Sequence, residues 1–324
     1  MKKFHEKAKQ KFDWDVTALP DYTDEQNQEI IEDLIASSTF LSKLRVQTGN
    51  KGSELIKLLS SDPAIQSAAD CGWTPQGGVV FTDETLTTVR LKIQEEYCNE
   101  DLNGTWAQIM NAVGANRQDQ EMVMEQAMIA YYIKKTQRKI QKLVIKGDEA
   151  SLDPDLAHFD GMVKQFTDSG DMQVATFEDP TITADNAFDV LIAVEAKIPN
   201  VVKDNELDFE IICPRQVAQD CLTQIYNAKD YASSIEVTRE NGQISFILPT
   251  TGTRVTSNPD LEDSEVYAVV YDYMFYGTDV DGDENGYEVK YNEHDEKMRV
   301  GVKWRSGFKA ILLEYFVKLE MTVS

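Results

Sequence analysis

The sequence predicts an α+β fold in which a long β segment, one extended helix, a small α/β unit and a closing set of strands follow in turn. Residues 41–92 combine Gly-rich turns with alternating β-branched side chains, which is typical of strands. Residues 117–146 contain no Gly or Pro, which favours a single helix. Residues 267–318 are rich in β-branched and aromatic side chains, which favour strands. The chain has 324 residues, the length of two domains or of one domain with insertions.

Residues 1–40 are predicted to form an extended arm followed by a helix. The stretch "DYTDEQNQEIIEDLIASS" opens with capping residues and carries a narrow apolar stripe, which indicates the helix. The arm is basic, with five lysines in its first eleven residues: Lys2, Lys3, Lys7, Lys9 and Lys11.

Residues 41–92 predict a long excursion of β structure with little apolar surface of its own to bury. A Gly/Asn/Gly turn separates two apolar runs in "LRVQTGNKGSELIKLL", and a Pro/Gly-rich break follows. At the end of the segment Val89, Leu91 and Ile93 alternate with Arg90 and Lys92, which is the period of a strand.

Residues 117–146 predict one long helix of roughly 45 Å, at about 1.5 Å per residue. One face of this helix carries apolar residues that step by sevens and fours, namely Met122, Ile129, Ile133, Ile140 and Val144. Gly147 follows where a C-terminal stop is expected. Six basic residues occur with no acid among them: Lys134, Lys135, Arg138, Lys139, Lys142 and Lys146. A solvated basic face and a binding surface are both consistent with this pattern.

Residues 182–266 predict a separate α/β unit. The stretch "DNAFDVLIAVEAKIP" indicates a capped helix, "DFEIIC" a strand, and the residues after Pro214 a second helix. Val217, Cys221 and Ile225 form the apolar stripe of that second helix. The stretch "IEVTRENGQISFIL" predicts a hairpin that turns at Asn-Gly. The closing strands are then "YAVVYDYMFYG", "YEVKYNE", "MRVGVKW" and "FKAILLEYFVKL".

The charge of the chain is negative and uneven. The formal net charge is −24, of which residues 1–150 contribute −5 and residues 151–324 contribute −19. An acidic surface of this size argues against a protein that wraps nucleic acid with its whole surface. No apolar run has the length of a membrane span, and no apolar signal region follows the basic N-terminus, so we expect an intracellular product.

The cysteines and histidines do not form a zinc pattern. The four cysteines are far apart and form no CxxC pair, and the three histidines are scattered as well. We therefore expect reduced thiols in ordinary packing. The cysteines are Cys71, Cys98, Cys213 and Cys221.

The acidic stretch "GTDVDGDENGYEVKY" (Gly277 to Tyr291) resembles a calcium loop only in part. An EF-hand loop that begins at Asp281 has Asp283, Asn285 and Gly286 in place, but Asn292 stands where a bidentate Glu is required. Neither flank has a helical pattern. Two alternatives remain: weak calcium binding at an acidic turn, or a solvated β-turn. The candidate ligands are Asp279, Asp281, Asp283 and Asn285.

No catalytic or cofactor motif is present. The sequence has no GxSxG, HExxH, GxxxxGK[ST] or GxGxxG, and carboxylate spacing has no specificity in a chain with 56 acids. We therefore predict a protein that is not an enzyme and that has no cofactor.

Three stretches carry a resemblance to a known family. "CGWTPQGGVVFTDETLTTVRLKIQEEYCNEDL" (Cys71–Leu102) has a Cys-Gly-Trp, a Thr-rich strand and an Asp-Leu ending. Leu191–Ile225 has a helix, an Ile-Pro break, a strand and a second helix, and Tyr273–Leu312 has an aromatic-Gly-Thr-Asp before a turn and a basic strand. In content and order they resemble the major capsid proteins of tailed bacteriophages, which have the Hong Kong ninety-seven fold. The first stretch is most similar to capsid proteins of crAss-like gut phages.

The resemblance covers nearly the whole chain and implies a division into named parts. These are an N-terminal arm and helix at 1–40, an E-loop at 41–92, a first part of the P-domain at 93–181 with its spine helix at 117–146, an A-domain at 182–266, and P-domain return strands at 267–324. The acidic stretch then becomes a connection between two P-domain strands.

The resemblance also implies a function. The chain would be a structural protein of the virion that self-assembles as pentamers and hexamers into an icosahedral shell. The shell would enclose a double-stranded DNA genome and be assembled in the bacterial cytoplasm. Portal, scaffolding or decoration proteins are further candidate partners, packaged DNA would meet the inner face without sequence specificity, and no membrane is involved.

Candidate interaction residues follow from these placements. The E-loop cannot bury its own faces, so we expect it to be ordered by a neighbouring subunit. The candidate inter-subunit contacts are Lys51, Trp73, Arg90 and Lys92, and Lys51 is also a candidate for crosslinking by its location. The basic face of the spine helix, Lys135, Lys139 and Lys142, is a candidate for subunit contacts or for the inner wall near DNA.

Some features leave alternatives open. Relatives of this kind can carry a long N-terminal scaffolding segment, whereas only about forty residues precede the E-loop here. If the shell needs scaffolding, we expect a separate protein to supply it. Cys71 and Cys98 flank a strand and are a candidate disulfide beside the reduced state. Other functions considered are an encapsulin nanocompartment shell, a calcium-dependent binding module and an unrecognised hydrolase.

Overall fold

The structure is a computed structural model, and it describes residues 40–63, 77–98, 135–204, 207–228, 235–240, 243–262, 264–279, 286–292 and 297–322. The predicted arm and helix at 1–39, Trp73, Cys71 and residues 117–134 of the predicted spine helix lie outside this description.

The described helices are α1 (residues 135–146), α2 (Met162–Asp168), α3 (Ala187–Ala196), α4 (Asn200–Asp204) and α5 (Arg215–Ala228). The described strands are β1 (Arg45–Gln47), β2 (Ser53–Pro63), β3 (Gly77–Thr87), β4 (Val89–Cys98), β5 (Gln173–Phe177), β6 (Phe209–Pro214), β7 (Val237–Glu240), β8 (Gln243–Ile247), β9 (Arg254–Asn258), β10 (Tyr267–Val270), β11 (Met274–Gly277), β12 (Gly286–Asn292), β13 (Lys297–Ala310) and β14 (Val317–Met321). Short 3₁₀ turns lie at Leu41–Lys43, Tyr271–Tyr273 and Leu313–Tyr315.

Strands β2 and β3 form a long antiparallel hairpin, which confirms the predicted β excursion. The two strands pair along their full length, from Ser53 opposite Thr87 to Pro63 opposite Gly77. Each strand has 11 residues, so the hairpin is about 37 Å long at roughly 3.4 Å per residue.

A five-stranded sheet lies at the base of the hairpin. Its strands run β1-β11-β13-β12, and β4 pairs with β13 as well. The long strand β13 is antiparallel to β4, β11 and β12, whereas β1 is parallel to β11. The predicted alternation is confirmed, because Leu91 is buried while Arg90 and Lys92 are exposed. On β13, Val302 and Trp304 are buried while Lys303 is exposed.

A seven-stranded sheet has the order β5-β14-β10-β6-β9-β8-β7. Its central strand β6 is buried at five of six positions, which explains the apolar run Ile211–Cys213 within "FEIICP" and leaves Glu210 as a buried carboxylate. Helices α3 and α5 pack beside each other on this sheet. The predicted apolar stripe of α5, Val217, Cys221 and Ile225, is buried, and β7 pairs with β8 as the predicted hairpin.

The seven-stranded sheet crosses the predicted boundary between residues 266 and 267. Strands β10 and β14, predicted as return strands, pair with each other, and β10 also pairs with β6. The chain passes from this sheet to the five-stranded sheet at the turn Tyr271–Tyr273, and it returns after Ala310. The division into domains remains a prediction.

The stretch "FKAILLEYFVKL" was predicted as one strand, and this prediction is wrong. The chain leaves β13 at Ala310, turns at Leu312 with a φ of 51°, and enters β14 at Val317. The break has a clear reason, since the two ends of the stretch pair in different sheets. Alternation in the sequence does not reveal this change of partner.

One core joins both sheets and the helices. The predicted apolar face of the spine helix is confirmed where α1 is described, because Ile140 and Val144 are buried in that core. Helix α1 ends before Gly147, as predicted. Glycine is needed at position 147 because of close packing, since a Cβ there would meet the carbonyl oxygens of Phe159 and Leu143.

Candidate functional site

One face of the β2–β3 hairpin packs on its own chain near the base. Ile56, Leu86 and Ile311 form a small buried cluster, with Tyr273 and Phe275 packed against it. An ion pair of 3.2 Å joins Lys309 Nζ to Glu84 Oε2 on the same side. This lower part of the hairpin is therefore fixed to the sheet without any partner molecule.

The base of the hairpin is held tightly by backbone contacts. The Thr88 hydroxyl donates to the carbonyl oxygens of Asn50 and Gly52, at 3.0 and 3.1 Å. A Cβ on Gly307 would overlap the Thr87 carbonyl oxygen, and a Cβ on Gly277 would lie 2.7 Å from Thr88 Cγ2. Glycine is needed at both positions because the strands approach this closely.

The opposite face of the hairpin is exposed and carries two large apolar side chains on either side of the Lys57–Asp83 pair. Because side chains alternate along a strand, Leu55 and Lys57 share one face with Phe81 and Asp83 across the pair. Leu55 is 58% exposed and Phe81 is 68% exposed. Large apolar side chains exposed together on one side of a projecting hairpin indicate a surface that binds another molecule.

A second exposed surface, the cationic face, lies on strands β4 and β13. Its basic residues are Arg90, Lys92, Lys297, Arg299, Lys303 and Arg305, and its one acid is Glu96. Lys92 stands directly opposite Lys303, and Arg90 stands directly opposite Arg305. Like charges in directly opposite positions destabilise a sheet. Their concentration in a chain of net charge −24 indicates a surface for an anionic partner.

Glu96 neutralises one end of the cationic face, and Asp279 lies 3.8 Å from Arg305 at the other end. Arg299 Nε lies 2.7 Å and Lys297 Nζ lies 3.2 Å from its carboxylate. Hydrogen bonds from Arg299 and then Lys297 hold the pKa of Glu96 below its usual range. Between these two ends, Lys92 and Lys303 have no ion-pair partner within the described part of the chain.

The described part of the spine helix carries the predicted basic face. Its exposed cations are Lys135, Arg138, Lys139 and Lys142. Lys139 Nζ lies 2.9 Å from Asp155 Oδ2, so this lysine is partly neutralised. Lys146 points elsewhere, towards Glu262 and Glu265 at 2.8 and 2.9 Å.

The predicted contact residues fall in different places. Lys51 is exposed in the turn before β2, at the base of the hairpin, and Trp73 lies outside the described residues. Arg90 and Lys92 are exposed on β4, where Lys303 and Arg305 join them from a strand about 200 residues later. The sequence prediction missed these two partners. The sequence does contain a pattern that indicates them, since the basic residues of "RVGVKWR" occupy alternate positions and so share one face of a strand.

The acidic stretch connects strands β11 and β12, as predicted. A helix–loop–helix calcium site is therefore excluded, because strands stand on both sides of the stretch. Asp279 is buried, and its Oδ2 lies 3.8 Å from Arg305 Nε. The other candidate ligands, Asp281, Asp283 and Asn285, lie outside the described residues.

Other classes of site are not visible in the described ranges. Within them, no three His, Cys, Asp or Glu side chains are grouped as a metal site requires. None of the helices described is both long and apolar enough to cross a membrane. Cys213 and Cys221 are buried free thiols, and burial raises the pKa of both, that of Cys221 to about 12. Such thiols are poor nucleophiles.

Comparison with known proteins identifies the fold. No protein family matches the sequence, and no curated protein matches it. Among solved structures, the procapsid of satellite phage P4, which includes the size determination protein, has a TM-score of 0.60 at 11% identity, covering 91% of this chain and 99% of that one. The capsid of Myoviridae phage XM1 has a TM-score of 0.54 at 12% identity, covering 89% and 92%. A virus-like particle from Pyrococcus furiosus has a TM-score of 0.51 at 10% identity, covering 91% and 98%.

These likenesses extend over nearly the whole of each chain, so they concern the complete architecture and not a shared motif. The predicted fold class is confirmed: the chain has the Hong Kong ninety-seven fold found in capsid shells. At identities of 10–12% the likeness shows the fold alone.

Proposed function

We propose that the chain is the major capsid protein of a tailed bacteriophage, a structural protein without enzymatic activity. It assembles through pentamers and hexamers into an icosahedral shell around a double-stranded DNA genome. The observation that carries this proposal is the exposed face of the β2–β3 hairpin, with its two large apolar side chains, on a fold used by capsid shells. Leu55 and Phe81 lose their exposure to water only when a neighbouring subunit covers them.

The two exposed surfaces suggest how copies bind each other. The exposed hairpin face carries two large apolar side chains, Leu55 and Phe81, with one cation, Lys57, and one anion, Asp83, whereas the cationic face is basic. The two surfaces differ in chemistry and belong to different parts of the chain, so a contact between them is head-to-tail. Head-to-tail contacts close into rings when the rotation between copies allows it. This arrangement supports pentamers and hexamers.

Other partners follow from the same proposal. The basic face of α1 is available for a neighbouring subunit or for packaged DNA, which would be bound through phosphates without sequence specificity. Portal, scaffolding and decoration proteins are further proposed partners of the shell. The closer kinship with crAss-like gut phages is a proposal that rests on the stretch Cys71–Leu102 alone.

A nanocompartment shell of the encapsulin kind is the second candidate. It is supported by the likeness to the virus-like particle from Pyrococcus furiosus. The contents of the particle separate the two candidates, since a phage shell encloses DNA and a nanocompartment encloses protein.

The proposal is tested by electron microscopy and size-exclusion chromatography of the full chain, expressed alone and with its neighbouring genes. Wild-type protein should give closed shells or ring-shaped oligomers. Phe81→Asp should abolish them, because a carboxylate at this position cannot be buried in an apolar contact without a large desolvation cost. The subunit itself should keep its melting temperature, since Phe81 is mostly exposed.

Phe81→Leu is the matched control and should still assemble, because it keeps an apolar side chain at the contact. A wild-type chain that stays a monomer under all these conditions would contradict the proposed function. If Phe81→Asp and Phe81→Leu assembled equally well, the exposed hairpin face would not be part of the contact between subunits.

A further inference from the structure

Residues 40–47 form a strap between the two sheets. Phe40, Leu41 and Leu44 are buried in the common core. The strap then continues into β1, which pairs with β11 of the five-stranded sheet. One short segment is therefore packed against both halves of the molecule.

The strap reaches the centre of the seven-stranded sheet through one ion pair. Glu210 lies on the central strand β6 and is only 2% exposed. Lys43 Nζ lies 2.5 Å from Glu210 Oε2, and the Thr256 hydroxyl donates to Glu210 Oε1. The carboxylate is thus held by two donors, of which only Lys43 carries a positive charge.

The strap also contacts the segment of chain that crosses from one sheet to the other. The turn Tyr271–Tyr273 joins β10 of one sheet to β11 of the other. Lys43 Nζ lies 5.2 Å from the centre of the Tyr271 ring, and Arg45 Nη2 lies 2.8 Å from Asp272 Oδ1. Two basic side chains of the strap, Lys43 and Arg45, therefore contact the turn between the sheets.

The other end of the strap leads into the hairpin. The Thr278 amide donates to the Gln47 carbonyl at 2.9 Å, and the Asn50 amide donates to the Thr278 carbonyl at 3.2 Å. Gln47 Nε2 also lies 2.5 Å from Glu54 Oε2 on β2. A movement of the hairpin base would consequently displace the strap, and with it Lys43.

A cleft beside the ion pair provides room for such a movement. It has a volume of about 520 Å³ and is lined by Ser42, Lys43, Ser245, Arg254 and Thr256. Lys43 can therefore leave Glu210 without displacing the core. Glu210 would then remain buried without its ion pair, which is strongly disfavoured.

We propose that Lys43 and Glu210 form a latch that fixes the angle between the seven-stranded sheet and the hairpin, and thereby restricts the assembled subunits to one curvature. The curvature part rests on the proposed function, whereas the latch itself is a property of the single subunit. An ion pair with a buried carboxylate and a partly exposed lysine suits this role, because it adds little net stability over apolar side chains but favours one geometry.

The test compares Lys43→Met with the double variant Lys43→Met/Glu210→Gln. The single variant leaves a buried carboxylate without its cation, so its melting temperature should fall clearly. The double variant removes both charges and should recover most of the wild-type melting temperature. In the soluble subunit, amide hydrogen exchange at β1 and β11 should nevertheless be at least tenfold faster in the double variant, while exchange at α3 is unchanged.

Assembly products supply the second measurement. Wild-type shells should have one diameter, and the double variant should give several diameters or unclosed sheets. Lys164→Met is the control: Lys164 forms an ion pair with Asp168 on α2, at 3.2 Å, away from the strap. It should change neither the exchange rates of β1 nor the diameter of the shells.

The outcomes separate the two proposals. Wild-type exchange rates at β1 and β11 in the double variant would overturn the latch, whether or not the protein assembles. Faster exchange with a single shell diameter would overturn the curvature part. A wild-type chain that never assembles would contradict the proposed function, and hydrogen exchange would still decide the latch.

Discussion

Two glycines on β13 have opposite surroundings. A Cβ on Gly307 would overlap the Thr87 carbonyl oxygen at the base of the hairpin, whereas a Cβ on Gly301 would meet nothing closer than 3.8 Å. We expect Gly307→Ala to lower the free energy of unfolding by about 2–4 kcal/mol, because backbone must move to admit a methyl group. Gly301→Ala, on the same strand, should change it by less than about 1 kcal/mol.

Urea unfolding of the two variants checks this expectation. Equal stability of Gly307→Ala and Gly301→Ala would show that the hairpin base is looser than the close approach of Thr87 implies.

Three buried tyrosines should make the protein sensitive to alkali. Burial is the main cause that raises the pKa of Tyr267, Tyr271 and Tyr276, in the last case to about 12. Above about pH 10 the unfolded chain loses tyrosine protons that the folded chain keeps. The unfolded state then binds fewer protons, so stability falls as pH rises, by up to about 1.4 kcal/mol per pH unit for each tyrosine.

Tyr276→Phe should therefore reduce the slope of stability against pH between 10 and 12. Chemical unfolding at several pH values measures this slope. An unchanged slope would contradict the prediction. At pH 7 the variant loses only the hydrogen bond from Ser306, of 3.1 Å, and should be weakened by about 1 kcal/mol.

Elements with local signals were predictable from the sequence. The β excursion, the strand beginning at Val89, the end of α1 before Gly147 and the hairpin of β7 and β8 all follow from periodicity or turn residues. The partner of each strand was not predictable in this way. Strands β10 and β14 resemble the other closing strands in composition, yet they pair in the seven-stranded sheet. Pairing depends on contacts between distant parts of the chain, which periodicity does not encode.

The basic face of α1 supports a prediction at the level of one helix. Reversal of Lys135, Lys139 and Lys142 to Glu should impair assembly or DNA filling, since repulsion would replace attraction at an anionic partner. All three side chains are exposed, so the subunit should stay folded, although the reversal of Lys142, which lies closest to the helix C-terminus, costs about 0.3–1 kcal/mol.

The matched control replaces the same three lysines by Gln, and its effect should be intermediate. Particle yield and encapsidated DNA are the quantities to measure. If the Glu variant gave DNA-filled particles in normal yield, the basic face of α1 would be needed neither for subunit contacts nor for DNA binding.

At the scale of the whole molecule, the candidate site could be predicted only in part. Arg90 and Lys92 were identified from their own strand, but the cationic face exists because β13 lies beside β4. The net charge of −24 did not indicate this surface, because a chain that is acidic as a whole can still place several basic residues on one face of a sheet. The exposure of Leu55 and Phe81 likewise depends on which face of the hairpin the body covers. The strand period gave two faces without indicating which one is buried.

The cationic face also has a consequence for the order of events during synthesis. Its two strands lie about 200 residues apart in the chain, with the hairpin made first and β13 made late. At about 5–20 residues per second, a ribosome needs about 10–40 s between them. A growing chain therefore exposes its own hairpin long before its cationic face is complete and able to bind the hairpin of another chain. If hairpins bind the cationic face, neighbouring chains on one messenger RNA cannot polymerise until each has left the ribosome nearly finished.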